Sequence, residues 1–316
     1  MTCLKCQHAA VKRFGTYGKR RVQRYRCQSC KATFSEPQPK LLGGHYLSVE
    51  RAAQIISLMM EGVSLRAIGR LTGTDKKTIL SLLLTVGKKC RKLHDSRVRR
   101  IRSRYVEFDE TWTYVHTHEK RLSPDDPNEW GDAYTWIGLD AQTTLVISYL
   151  VGKRDAASAH TFVRDFSERV TGICQVTSDG FRSYITAIEE YLGADVHFAQ
   201  LIKLFGKPDN SGPDWYGPAK VIATVPTPVS GDPDPKHIST SYVERSNLSV
   251  RMHLRRFTRL TNAHSKKLTY LKAAVSIYMT WYNFCRVHQT LRVTPAMEAG
   301  LTDHIWEMEE MLAVVP

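Results

Sequence analysis

Two groups of residues in this chain have the types and spacing to do chemistry. The first is acidic. "SRYVEFDETW", residues 103–112, places Glu107, Asp109 and Glu110 in a stretch that otherwise reads as a strand, directly after a run of arginines. Carboxylates that enter a core need a partner. Two further acids sit at element ends: Asp179 just after the strand-like "ICQVT", and Glu244 in the helix-like "TSYVERSNLSVRMHLRRF". Asp109, Asp179 and Glu244 can converge at one sheet edge. Three hard oxygen donors there suit Mg²⁺, which keeps water or a substrate phosphate in its remaining positions. Two such ions, ~3.5–4 Å apart, can activate a water or 3′-hydroxyl and stabilise the leaving oxygen of a phosphodiester. Strand alternation sets Glu107 and Asp109 on one face and Glu110 on the other. The shorter Asp109 is read as the primary ligand, and Glu107 and Glu110 as support for it or as solvated acids. Arg251, seven residues after Glu244, is about 20° off register and shares its helix face, with Asn247 and Leu248 between them.

The second group is the cysteines. Cys3 and Cys6, then Cys27 and Cys30, form two Cys-x2-Cys pairs separated by twenty residues. Two-residue gaps let both thiolates of a pair face one tetrahedral ion, so one structural Zn²⁺ is expected. Four cysteines leave no open coordination position, so this site is structural. Cys90, Cys174 and Cys285 are scattered and read as small core residues of a reducing compartment.

These residues need elements to position them. Residues 1–40 read as a zinc ribbon built on a hairpin, with little core beyond the metal. In residues 45–95, Ser48 can cap a helix with Ala52, Ile55, Ile56, Met59 and Met60 at helical spacing, ended by Gly62. Ser64 caps a second helix, Thr72-Gly73-Thr74 makes the turn, and Thr74 is expected to cap a third. That is a helix-turn-helix. Its recognition helix would present Lys76, Lys77, Thr78 and Ser81 near its start, where groove contacts are made. The basic run "KKCRKLHDSRVRRIRSR" reads as tracking backbone phosphates through Arg97, Arg99 and Arg100, with residues 96–103 as a linker.

From residue 104 the pattern changes to three strands, then helix, strand, helix, strand. This suggests a mixed sheet flanked by helices, in the order of an RNase H-like α/β domain over 104–300. Residues 203–240 interrupt it with seven of the chain's thirteen prolines; no single regular element fits there. Trp215 and Tyr216 at the centre of this insertion offer stacking surfaces for an unpaired base, or a local hydrophobic anchor. Residues 301–316 read as a tail.

Charge points to the partner. Residues 1–105 hold 24 Lys+Arg against 5 Asp+Glu, a net of +19, while the remainder nets −5. So one-sided a distribution suits a phosphate backbone. No apolar run approaches the ~20 residues of a membrane span, and the start "MTCLKCQHAAVKRFG" has no apolar leader core. A soluble cytoplasmic protein with double-stranded DNA as partner and no membrane is expected.

With "FDETW", "TSDGFRSY", "SYVERSNLSVRMHLRRFTRLTNAHSKK" and "YNFCRVHQTLRVTPAMEAG" in view, the chain resembles the IS1 family of bacterial insertion-sequence transposases over almost its whole length. The resemblance implies DDE chemistry with Asp109, Asp179 and Glu244 as ligands of two Mg²⁺ ions. It implies DNA contacts by Arg251 near the site, with Arg255 in the same segment, and a packing role for Tyr282, Asn283, His288 and Pro295. It further implies binding of terminal inverted repeats, cleavage to free 3′-hydroxyls and their joining to target DNA. Pairing two ends suggests a homodimer or larger, associated with the bacterial nucleoid. The alternatives are a sequence-specific repressor carrying a non-catalytic remnant, and an RNase H-like nuclease.

Overall fold

The computed structural model describes residues 1–18, 21–35, 42–206, 221–258 and 261–314. The chain divides into two compact units, Met1–Gly44 and His45–Pro316. In the first, strands β1 (Val11–Tyr17), β2 (Val22–Cys27) and β3 (Thr33–Ser35) form an antiparallel sheet in that order. The third strand extends the expected hairpin.

The second unit begins with α1 (Val49–Met60), α2 (Leu65–Thr72) and α3 (Lys76–Arg97). Ser48 Oγ accepts from Arg51 N and Ser64 Oγ from Ala67 N, so both expected caps form. Gly73 ends α2 at φ +63°, a left-handed conformation that costs glycine little. The third helix differs from expectation: Asp75, not Thr74, is its cap, accepting from Lys77 N at 2.7 Å. A carboxylate is the stronger acceptor and complements the positive end of the helix. Thr74 Oγ1 donates to Thr72 O instead.

Helix α3 also runs 22 residues, through most of the stretch read as phosphate-tracking. Val86, Cys90, Leu93 and His94 prolong its buried stripe. The basic residues between them are partly committed inside the protein. Arg91 donates to Tyr149 O at 3.0 Å, and Arg99 to Asp95 O at 2.8 Å and Glu168 O at 3.2 Å. Fully buried Arg169 bridges Asp95 and Asp165, at 2.5 and 2.8 Å, which ties the end of α3 to α4 (Ala156–Ser167). Removing one partner of such a buried pair strands the other charge. A Cβ on Gly87 would lie 2.6 Å from Ala273 of α7 (Leu268–Phe284), so only glycine permits this helix crossing.

The main sheet contains β4 (Tyr105–Val115), β5 (Gly131–Asp140), β6 (Val146–Gly152), β7 (Cys174–Ser178), β8 (Val196–Phe205) and β9 (Val221–Ser230). Its order is β6-β5-β4-β7-β8-β9, with β4, β7 and β8 parallel and the rest antiparallel. Counted from β4, the first five strands stand 3-2-1-4-5, consistent with the RNase H-like order. Phe108 packs its ring against Phe162 and Phe166 of α4 and Tyr184 of α5 (Ser183–Tyr191). On the other face lie α6 (Ser241–His253) and α7.

The described part of the proline-rich segment contains a strand. This is β9, whose Pro226 and Pro228 stand opposite Leu201 and Ala199. An edge strand tolerates residues without an N–H. Trp215 and Tyr216 lie outside the described residues. At the C-terminal end, Tyr282, Asn283 and Pro295 are buried, as a packing role requires, and His288 is half-buried. Asn283 accepts from Val146 N at 3.0 Å and donates to Val146 O at 2.9 Å, docking α7 on β6. Past α8 (Pro295–Glu298), the expected tail includes α9 (Met308–Val314), which buries Met308, Met311 and Leu312 and packs on α1. Among the described residues no helix is long and apolar enough to cross a membrane.

Candidate metal centres

Strand register brings the first two acids together. β7 pairs with β4 only over Tyr105–Phe108, in the register Phe108↔Ser178. Asp109 and Asp179 are the next residues on each strand, so they meet where the two strands part. Such a fork at the carboxyl ends of parallel strands is where α/β sheets place ligands. Carboxylate oxygens of Asp109, Glu110 and Asp179 lie within 4.8 Å of one another.

The helix bearing Glu244 is held by the same strand. Thr240, the residue before α6, makes no side-chain cap. Glu107 supplies one from across the sheet, accepting from Val243 N at 2.8 Å. Two residues on and on the same face, Asp109 Oδ2 accepts from Asn247 Nδ2 at 2.7 Å. Glu244 lies between those two attachments and enters the cleft of about 770 Å³ that Asp109, Glu110 and Asp179 also line. Arg251 borders it too, on the face shared with Glu244. The sequence-read trio therefore lines one cleft, but its tightest acidic group is Asp109, Glu110 and Asp179, with Glu110 in the place expected for Glu244.

Fixed cations and donors hold these acids. Arg154 donates to Glu110 Oε2 at 3.0 Å and Asp179 Oδ2 at 2.6 Å, with its guanidinium over the Phe181 ring. Tyr184 Oη donates to Glu110 Oε1, and Lys203 Nζ and Thr240 Oγ1 to Glu244 Oε1. Gln200 Nε2 donates to Asp179 O and Phe181 O, which fixes the turn carrying Asp179. Burial, with help from Asp179 and Glu244, pushes Asp109 up to about 6. Burial and then Asp179 push Glu110 up to about 7, and burial alone dominates at Glu107, also about 7. Neither glutamate is a solvated acid: Glu107 is 3% exposed, and the Glu110 side chain 2%. Arg154 and Lys203 escaped the sequence reading because a lone cation in a loop or strand has no periodic signal. Asn247, three residues after Glu244, was legible as sharing its face.

The donor chemistry fits a hard divalent cation. Octahedral Mg²⁺ at 2.0–2.1 Å spans at most about 4.2 Å between opposite oxygens, so side-chain rotation can bring the cluster onto an ion. All-oxygen ligation disfavours softer metals.

The thiol group fits a different ion. Cys3, Cys6, Cys27 and Cys30 Sγ atoms lie within 4.8 Å of one another, with Cys3–Cys30 and Cys6–Cys27 each at 3.6 Å. A tetrahedron with Zn–S of ~2.3 Å has edges of about 3.8 Å, whereas a disulfide requires about 2.05 Å. The two knuckles are geometric copies. Cys3 N donates to His8 O and Cys27 N to Ala32 O, and Gln7 and Lys31 both turn through positive φ.

Of the residues expected to touch DNA, Lys76, Lys77 and Ser81 are exposed on the first turns of α3 and Thr78 is half-buried. Arg97, Arg100 and Arg255 are exposed, while Arg99 makes the contacts given above.

Two measurements check these centres. Metal analysis of the purified chain should return about one zinc, lost when Cys27 and Cys30 are both changed to serine; equal zinc in both proteins would refute the assignment. For Glu107, the folded state holds the proton more tightly than the unfolded chain. Its contribution is therefore full below about pH 4.5 and declines as the pH rises through 7. Glu107→Gln keeps an acceptor for Val243 N and abolishes the titration. Urea midpoints should shift in favour of the variant between pH 4.5 and 7.5, and a constant difference would contradict a buried, titrating cap.

No protein-family model matches the chain, and no curated protein matches its sequence. Among solved structures, it is similar to the piggyBac transposase synaptic complex with hairpin DNA. Identity is 12% and the TM-score 0.37, over 84% of this chain and 69% of that one. It is also similar to the Mos1 strand transfer complex, at 13% identity and a TM-score of 0.23, over 76% of this chain and 78% of that one.

Proposed function

We propose that the chain is a DNA transposase of the IS1-like, DDE kind, with Asp109, Asp179 and Glu244 as the catalytic carboxylates. The observation that carries this reading is the parallel register that sets Asp109 beside Asp179 in a cleft also lined by Glu244 and rimmed by Arg154, Lys203 and Arg251. When bound there, Mg²⁺ ions supply Lewis-acid activation of the attacking hydroxyl and stabilisation of the leaving oxygen.

The chain's own groups do the rest. Glu107 and Asn247 hold α6 on β4, so the third carboxylate stays at a set distance from the first. Arg251 meets the DNA phosphates at the rim. Arg154 and Lys203 neutralise the acids and are placed to turn to a phosphate once a cation replaces them. The three-helix segment reads the element's ends through Lys76, Lys77, Thr78 and Ser81, with Arg97, Arg100 and Arg255 on backbone phosphates. The four thiolates hold a structural zinc. Pairing two ends calls for at least a dimer. A repressor has no use for this cleft: crowding buried, mutually repelling acids costs stability that only a catalytic role repays.

The test is cleavage and joining of DNA from the element's own ends with Mg²⁺. Asp109→Asn, Asp179→Asn and Glu244→Gln should each lower both steps by on the order of 10³-fold or more, with end binding intact. Arg251→Ala should reduce activity by less. Normal cleavage in any carboxylate variant would show that acid to be misassigned, with Glu110 the next candidate.

A further inference from the structure

A second cleft, of about 640 Å³, opens beyond the acids along the same strand. Its wall is a set of near-parallel rings. Tyr114 lies between two imidazoles, His118 at 3.9 Å and His264 at 4.4 Å between centroids, with interplanar angles of 26° and 29°. Trp112 lies 5.8 Å from His118 at 19°. Tyr114 Oη and His264 Nδ1 are 2.9 Å apart, so the loop carrying His264 is tied to the strand. All four rings are half-exposed. Tyr114 has an imidazole on each side, whereas half-exposed Trp112 has no ring nearer than 5.8 Å among the described residues, and a flat aromatic face of that kind is what a nucleobase stacks on.

The rim is cationic. Arg121, Arg256 and Lys266 line the cleft, and among the described residues no acid does. Among the described residues, none of these three cations has a carboxylate within ion-pair distance. Arg256 donates to Ser265 Oγ at 3.0 Å, which aims its guanidinium without neutralising it. Around the acidic cleft and the α3–α4 junction, by contrast, Arg154, Lys203, Arg91 and Arg169 each meet an acid. Uncompensated cations beside stacking faces call for a ligand with a flat ring and a negative charge.

We infer that this cleft takes an unpaired nucleotide of a DNA strand, its base against the Trp112 ring and its phosphates at Arg121, Arg256 and Lys266. The inference deepens the transposase reading and rests on it only for the ligand being DNA. Trp112 stands two residues beyond Glu110, on the same strand face and about 7 Å along it. That is roughly two base steps at ~3.4 Å per step. A strand whose phosphate sits at the acids therefore reaches the aromatic wall within a few nucleotides. The base held there must leave the duplex, because a paired base has no free face to offer.

Fluorescence anisotropy on the full chain tests this without metal or cleavage. The probes are a labelled single-stranded 12-nucleotide DNA, the same strand with abasic sites, and a fully paired duplex of equal length. Wild type should bind the intact strand about tenfold or more tighter than the abasic one. Trp112→Ala should remove that discrimination and leave duplex binding unchanged, and Trp112→Phe should restore much of it. Arg121→Glu, at an exposed position with no packing role, should weaken both single strands and flatten their salt dependence. Should Trp112→Ala prove unstable, loss of single-strand affinity in Arg121→Glu carries the decision. Equal affinity for intact and abasic strands in wild type, or an unchanged Arg121→Glu, would overturn the nucleotide site while duplex binding still stood. Loss of duplex binding in wild type would instead count against the DNA reading itself.

Discussion

Two hydrogen bonds from β4 to α6 position the acidic cleft. Glu107 accepts the amide of Val243, and Asp109, two residues on, accepts the side-chain amide of Asn247. Period-two alternation puts both acceptors on one sheet face, and helical spacing of four puts both donors on one helix face. Glu244 lies between them. Its distance from Asp109 is therefore set by two hydrogen bonds rather than by a loop. The far end of α6 meets α1, where His253 Nδ1 lies 2.7 Å from Met60 O and a Cβ on Gly62 would crowd Met252 O. One short helix thus runs from the acids to the end of α1.

Charge balance shapes everything around that junction. Burial raises Asp109, Glu110 and Glu107 together, which says that the fold gathers more negative charge than it would hold unaided. Arg154 and Lys203 supply part of the compensation, bonded to Glu110, Asp179 and Glu244. Both are long side chains on the cleft wall, able to swing between a carboxylate and an incoming phosphate. On the opposite side of the same unit, Arg169 with Asp95 and Asp165 is closed on itself, and that network serves docking alone.

Much of this was legible before any coordinates. The strand-like alternation of β4, the Ser48 and Ser64 caps, the two cysteine pairs and the placement of Asp109 within a strand and Asp179 at the end of another follow from local rules. What escaped is tertiary. Charge density in residues 88–104 suggested a surface given over to phosphates, yet Cys90, Leu93 and His94 continue a buried stripe, so packing claims part of that run. The strand in 221–230 was hidden in a proline-rich segment read only as no single regular element, since at a sheet edge a missing N–H breaks no ladder bond. Glu107 as a long-range helix cap has no sequence signature, since donor and acceptor stand 136 residues apart. Asp75 displaced Thr74 as a cap because a neighbouring carboxylate competes better for the same amide.

The central claim is that one cleft binds divalent cation through Asp109 and Asp179 with Glu244 completing it. Crystals of the full chain soaked in Mn²⁺ and measured at the manganese edge test it most directly. The account predicts an anomalous peak between the Asp109 and Asp179 carboxylates, with Arg154 withdrawn from Asp179, and no such peak in Asp109→Asn. Manganese bound elsewhere, or bound between these strands regardless of Asp109, would contradict it.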